Sequence, residues 1–408
     1  MSNDCFALFG RMPGAILAPA TVGDAQEAIR QAQGRAVIPW GGGTRQEIGY
    51  APDRYDLALS TENLTAIVDY QPADMTVTAQ AGVTLAQLQA VLAEHRQWLP
   101  LEAALPELQT VGGLVATRAD SLTRFGCGSV RDSLIGVSVV NSQGELVKGG
   151  GRVVKNVAGY DLPKLYCGSW GTLGLITDAT FKVAPLPETS ATVVLPLNAE
   201  HNSEDVLDGL LDSELQPVFV TLLSPAAAQE VLEGGPNAQF LFIGFDGASE
   251  DVQWQNETLG VSDGVLTGPM SSAVRARLRD YPLRLAPMTC AFHILSSQVG
   301  AYVRMVEWTA RRSGFSAHVL ADAALGLVWA HFAPAREDAD WILFYGDLKD
   351  KADRVGGSFI IERMPEDLRA QDVPVWSPLL TDFPLMQRLK SALDPQRMWN
   401  PGRFVGRL

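Results

Sequence analysis

The run P-W-G-G-G-T-R at 39–45 constrains this chain more than any other feature. It follows an apolar stretch, A-V-I-P, and leads through a polar turn toward a second apolar stretch. Three consecutive glycines let the backbone take positive φ angles and present unshielded N–H groups in a concave loop. Such a loop can wrap a nucleotide diphosphate without a lysine. A Walker phosphate loop needs G-x-x-x-x-G-K-S/T, and a dinucleotide fingerprint needs G-x-G-x-x-G opening a helix; neither spacing occurs here. Taken alone, three glycines also describe a plain flexible or tight loop. The segments that follow decide between the two.

The chain has 408 residues, room for two domains or one large two-lobed body. Its 47% hydrophobic and 19% charged content is that of a globular protein. A net charge of −14 argues against a binder of nucleic-acid backbone, which needs a positive surface. No apolar run approaches the roughly 18–20 residues of a membrane span. The start, M-S-N-D-C-F-A-L-F-G-R, shows no basic region followed by an apolar core, so a cytoplasmic protein is expected. Cys5, Cys127, Cys167 and Cys290 form no C-x-x-C pair, and His95, His201, His293, His318 and His331 form no H-x-x-H. Neither a disulfide framework nor a protein-ligated metal is expected.

Local signals outline two lobes. Thr21 with Asp24 caps a helix, and Thr84 with Gln87 makes a capping box before L-x-x-L-x-x-V-L. Residues 56–61 and 65–81 read as short strands, the second broken by Pro-Ala-Asp, and a hairpin turns at Ser142–Gly144. A-P-L-P-E-T at 184–189 marks a domain boundary. Beyond it, Ser203 and Ser249 read as helix caps, F-L-F-I-G-F at 240–245 as a strand and 301–312 as a helix. W-I-L-F-Y-G and S-F-I-I-E-R around K-D-K-A-D-R read as strand–helix–strand, and M-Q-R-L-K-S-A-L-D as a final helix. The pattern predicts an α+β second lobe with an antiparallel sheet.

Four segments belong together: P-W-G-G-G-T-R at 39–45; T-V-G-G-L-V-A-T at 110–117 continuing to R-F-G-C-G-S-V-R-D at 124–132; K-N-V-A-G-Y-D-L at 155–162 with G-S-W-G-T-L-G-L-I-T at 168–177; and D-P-Q-R-M-W-N-P-G-R-F at 394–404. In order and spacing they resemble the FAD-binding fold of the vanillyl-alcohol oxidase and p-cresol methylhydroxylase superfamily, over about residues 10–187 and the tail. Within it, K-N-V-A-G-Y-D-L and G-S-V-R-D look most like the FAD-binding subunits of bacterial glycolate oxidase.

The resemblance implies an α+β chain: an FAD-binding domain of two α/β subdomains at 1–187, a cap lobe with an antiparallel sheet at 188–385, and a helix and tail returning to the flavin at 386–408. It implies that the amides of Gly41, Gly42, Gly43 and Thr44 hold the diphosphate. Thr110, Gly112, Gly113 and Thr117 continue toward the ribityl chain and flavin; Gly171, Gly174 and Ile176 line the adenine end; Asn400 sits by the flavin. The chemistry agrees, since a diphosphate needs donors where its charge sits and glycine where backbone must approach, and the isoalloxazine needs apolar walls. Other readings stay open. Thr110–Thr117 also fits an ordinary helix, Asn400-Pro401-Gly402 a plain turn, and Arg131-Asp132 a surface or structural ion pair. Lys155, Tyr160 and Asp161 fit a loop lock or a flavin-edge role, and Asp120 faces either the flavin or solvent.

Departures from the resemblance matter too. Relatives that attach FAD covalently use a histidine in or near the first loop; Thr44 stands there, so FAD is expected to be noncovalent. Related 2-hydroxy-acid dehydrogenases hold a metal through closely spaced histidines and a following glutamate. His318 and His331 lack that spacing, so a metal-assisted substrate site is not expected. The resemblance implies a glycolate oxidase complex with a paralogous FAD-containing hydroxy-acid dehydrogenase subunit and an iron–sulfur subunit, membrane-associated through its partners if at all. No residue is singled out as the catalytic base. A non-catalytic FAD relay or scaffold, and a stand-alone oxidase of another hydroxy acid, are the alternatives.

Overall fold

The computed structural model describes residues 3–151, 159–198, 202–261, 263–379 and 381–408. The chain divides into two compact units. The first comprises Met1–Ser121, Gly128–Leu186 and Leu379–Leu408; the second comprises Leu122–Cys127 and Pro187–Pro378.

The first unit begins with a three-stranded parallel sheet of β1 (Ala15–Leu17), β2 (Val37–Trp40) and β3 (Leu57–Ser60), in the order β1-β3-β2. Alternate side chains of a strand point to opposite faces. Val37, Leu57 and Leu59 accordingly pack with Ala25 and Ile29 of the helix Val22–Gln31, while Ile38, Trp40 and Ala58 pack with Phe6 and Tyr55. Thr21 caps that helix with a complete capping box to Asp24. The C-terminal tail runs parallel along the free edge of β2: Val37 N–H donates to Met398 O (2.8 Å) and Asn400 N–H to Val37 O (3.0 Å).

A second, antiparallel sheet joins β4 (Ile67–Gln71), β5 (Thr76–Gln80), β7 (Leu134–Val140), β8 (Leu146–Gly150) and β9 (Leu175–Lys182) in the order β4-β5-β9-β7-β8. A small ladder pairs β6 (Gln97–Trp98) with β10 (Ala184–Pro185). Val77, Ala79, Ala179 and Phe181 turn one sheet face onto the helices Leu85–Ala93 and Val111–Thr117, closing a continuous apolar core. Thr84 and Gln87 form the expected capping box.

The second unit is built on a nine-stranded antiparallel sheet: β11 (Thr189–Pro196), β12 (Phe219–Leu223), β13 (Phe240–Gly247), β14 (Val265–Thr267), β15 (Met288–His293), β16 (Phe315–Asp322), β17 (Leu327–Pro334), β18 (Ser358–Arg363) and β19 (Trp376–Ser377), in the order β14-β11-β13-β12-β16-β17-β15-β18-β19. Both faces are covered. Val220 and Leu222 lie in one apolar core, Phe219 and Leu223 in another, which explains why β12 is apolar at four of its five positions.

Three local readings are corrected. W-I-L-F-Y-G is not a strand: Trp341–Arg354 is one helix, capped by Asp340, whose carboxylate accepts from the amides of Ile342 and Leu343. A short apolar run does not distinguish strand from helix, and here the cap decides. The caps expected at Ser203 and Ser249 lie one residue earlier, at Asn202 and Ala248. Asn202 competes better because its side chain reaches Asp205 N–H at 2.9 Å.

Candidate functional site

Within the first unit, the loop after β2, the helix Val111–Thr117, the turn before β9 and the C-terminal tail line one cleft. It encloses about 730 Å³ of non-atom space, part of it open to solvent. Every cofactor candidate read from the sequence lines it: Gly41, Gly42, Gly43 and Thr44 on the first loop, Thr110, Gly112, Gly113 and Thr117 on the helix, Gly171, Gly174 and Ile176 on the turn and strand, and Asn400 on the tail.

The first loop has a distinctive hydrogen-bonding state. Among the described residues, the amides of Gly41, Gly42, Gly43 and Thr44 donate to no protein acceptor. Gly41, Gly42 and Thr44 are half-buried and Gly43 is exposed, so these amides are open to the cleft, and successive open N–H groups in a concave loop suit an anion. Thr44 Oγ1 donates to Gln109 Oε1 (3.0 Å), and Gln46 Nε2 donates back to Pro39 O (2.8 Å), bracing the loop at both ends.

The glycines serve packing as much as access. A Cβ at Gly42 would lie 1.7 Å from Leu108 O, and one at Gly41 2.2 Å from Thr110 Oγ1. The first loop therefore lies directly against residues 108–110, and glycine is what lets two chain segments meet there. Gly43 is different: its φ of +75° is the left-handed region that favours glycine, and its Cβ position makes only ordinary contact with Trp40. At the other wall, a Cβ at Gly171 would sit 3.0 Å from Asn400 Nδ2.

Thr110 is the N-cap of the Val111–Thr117 helix, accepting from Gly113 N–H at 3.2 Å, and Thr117 Oγ1 donates to Gly113 O at 2.8 Å. The helix and the cleft wall are therefore one element. Asn400 is buried, with Nδ2 donating to Trp170 O at 2.7 Å. It is a wall residue as well as a turn residue.

Other candidates lie elsewhere. Asp132 and Arg131 do not line the cleft. Asp132 accepts from Ser129 N–H and Oγ, completing a capping box, and these bonds hold its carboxyl below the usual range. Tyr160 is 92% exposed, and Asp161 caps the helix Leu162–Tyr166 and pairs with Lys164. Asp120 is half-buried and not part of the lining. Lys155 lies outside the described residues, as does His201.

The sequence reading missed Gln46, Gln109, Trp170 and Arg403, all of which line the cleft. Arg403 stood inside the quoted tail segment, three residues after Asn400, so its signal was its neighbour. Its guanidinium is buried, and burial lowers it from the ordinary arginine value to about 10, which still leaves it charged at neutral pH. No Asp or Glu lines the cleft among the described residues, in a chain of net charge −14. Among the described residues no histidine or cysteine lines it either.

The comparisons with known proteins bear on this cleft. Residues 13–150 match the family described as FAD binding domain. The chain carries an FAD-binding domain. It is of the p-cresol methylhydroxylase type, and its antiparallel sheet and helices are those of that fold. Over 436 aligned positions the chain is 24% identical to glycolate oxidase subunit GlcD of Bacillus subtilis (strain 168), covering all of this chain and 92% of that protein. To glycolate oxidase subunit GlcE of Escherichia coli (strain K12) it is 37% identical over 156 residues, 38% of this chain and 43% of that protein. A solved alkyldihydroxyacetonephosphate synthase shares the fold, with a TM-score of 0.71 at 18% identity over 95% of this chain and 75% of that one. The FAD-binding domain thus places this chain among FAD-dependent oxidoreductases.

In the second unit, His318 and His331 lie directly opposite each other on β16 and β17. His331 is fully buried, its Nδ1 3.0 Å from Thr289 Oγ1, and burial pushes it down to about 3. His318 Nδ1 is 3.3 Å from Glu230, which also accepts from Tyr281 and Arg284. No group of three or more His, Cys, Asp or Glu placed to hold a metal occurs among the described residues. No helix among them is long and apolar enough to cross a membrane.

Proposed function

We propose that this chain is the FAD-binding subunit of a 2-hydroxy-acid dehydrogenase, oxidising glycolate to glyoxylate and passing the electrons to a partner. The observation that carries the cofactor part is the first loop: four successive amides that have no protein acceptor among the described residues, in a cleft that no described carboxylate lines. In this reading the amides at Gly41, Gly42, Gly43 and Thr44 bind the diphosphate, with no histidine to bond covalently. Thr110, Gly112, Gly113 and Thr117 take the ribityl and flavin side, Gly171, Gly174 and Ile176 the adenine end, and Asn400 the flavin wall. FAD, when bound, supplies the two-electron acceptor that such an oxidation requires. The chain's residues orient it and exclude water from its apolar walls, Trp40, Trp170 and Ile176.

Glycolate as the substrate and a multisubunit setting draw support from the likeness to two glycolate oxidase subunits, GlcD and GlcE. In that setting a paralogous FAD-containing hydroxy-acid dehydrogenase subunit and an iron–sulfur subunit complete the path, because the four dispersed cysteines of this chain give no cluster ligands. The chain docks on any membrane through those partners. Co-expression of the three should give a co-purifying particle with glycolate-dependent dye reduction that disappears when this chain is omitted. Full activity of the partners without it would overturn the assignment. Anaerobic addition of glycolate or D-lactate to the isolated chain then divides the catalytic from the relay role: bleaching of the flavin absorbance means a complete site, and unchanged absorbance means a relay or scaffold.

A further inference from the structure

We infer that Arg403 is the buried counter-charge for the diphosphate, so that this dinucleotide site binds by a fixed cation as well as by loop amides. The inference rests on the FAD reading above and adds a residue to it. Arg403 is 7% exposed, and all its partners are neutral. Nη1 donates to Gln46 Oε1 (2.8 Å) and Asn400 Oδ1 (3.2 Å), and Nη2 donates to the carbonyls of Gln46 and Ile48. Its Nε has no partner. No carboxylate forms an ion pair with it among the described residues.

The molecule itself supplies the contrast. Arg275 is buried to a similar degree, and it meets Asp246 in a two-pronged ion pair. A buried charge is costly unless paired, and this acidic chain has carboxylates to spare. Arg403 nevertheless sits on the wall of a cleft that no carboxylate lines among the described residues, together with the open amides of Gly41–Thr44. The missing anion is therefore the ligand's. A diphosphate with its two negative charges answers both features at once, and in a low-dielectric cleft the attraction acts at short range without direct contact. The carbonyls of Gln46 and Ile48 aim the guanidinium, and through Gln46, bonded back to Pro39, they tie it to both ends of the loop.

The test compares FAD, ADP and riboflavin as ligands of the apoprotein, by thermal shift and by flavin fluorescence titration, in the parent, Arg403→Met and Arg403→Lys. A counter-charge predicts that Arg403→Met weakens FAD about tenfold or more relative to riboflavin, which has no phosphate, and loses the protection given by ADP. Arg403→Lys keeps the charge and should stay within about threefold of the parent for FAD, with ADP protection retained. If Arg403→Met does not fold, Arg403→Lys decides alone: a folded lysine variant that has lost ADP protection overturns the inference. An unchanged FAD-to-riboflavin ratio in Arg403→Met overturns it too. A parent protein that takes up no FAD is a different result, and sinks the cofactor reading instead.

Discussion

Lys390 and Asp394, one helical turn apart, form an ion pair of 2.7 Å whose side chains are 5% and 0% exposed. The ammonium also donates to Thr172 O (2.7 Å) and Trp399 O (2.8 Å), and the carboxylate accepts from the amides of Met398 and Trp399. All three ammonium protons are thereby used. The pair pins the tail that carries Asn400 to the turn that carries Gly171 and Gly174, and so holds two walls of the cleft together.

Lys390→Met leaves Asp394 charged and buried. Breaking a buried pair from one side costs about 3–5 kcal/mol, so urea unfolding followed by tryptophan fluorescence should show a loss of that order, with weaker FAD retention. A variant within about 1 kcal/mol of the parent would mean that the pair does not hold the tail.

Gly42→Val should abolish FAD retention and lower the melting temperature of the apoprotein as well, because the new Cβ collides with Leu108 O. Gly43→Ala meets no collision and pays only for its left-handed backbone, about 1 kcal/mol; it should keep FAD. The ratio of flavin to protein absorbance after gel filtration reads both. Parent-like FAD in Gly42→Val would remove the loop from the site.

The FAD-loaded protein should release its flavin on acid precipitation, the yellow colour passing to the supernatant. By the resemblance to covalent flavoproteins, Thr44 stands where their bonded histidine lies, and no histidine or cysteine lines the cleft among the described residues. Colour that stays in the washed pellet would refute noncovalent binding.

Acid should destabilise the second unit through His331. Its folded value of about 3 lies below the ordinary value near 6.5. As pH falls the unfolded chain takes up the proton first, so the contribution is complete above about 6.5 and is lost toward 3. In His331→Gln, the loss of stability between pH 6.5 and 4 should be visibly shallower than in the parent. Equal slopes would show that His331 is not held neutral by the fold.

Local chemistry was legible in the sequence wherever neighbours in the chain complete one another. The capping boxes of Thr21 with Asp24 and Thr84 with Gln87 and the hairpin at Ser142–Gly144 depend on contacts a few residues long. W-I-L-F-Y-G was misread because six apolar residues satisfy either period, and only the cap and the packing of Phe344 and Leu348 select a helix. What the order of residues determined was which segments carry open backbone and small side chains. What tertiary structure decided was their meeting: Val37 pairs with Trp399 across most of the chain, Gly42 abuts Leu108, and Arg403 reaches Gln46. Such pairings are set by sheet order and core packing between distant segments, and the cost of a buried charge with no carboxylate beside it becomes visible only once the fold has placed it.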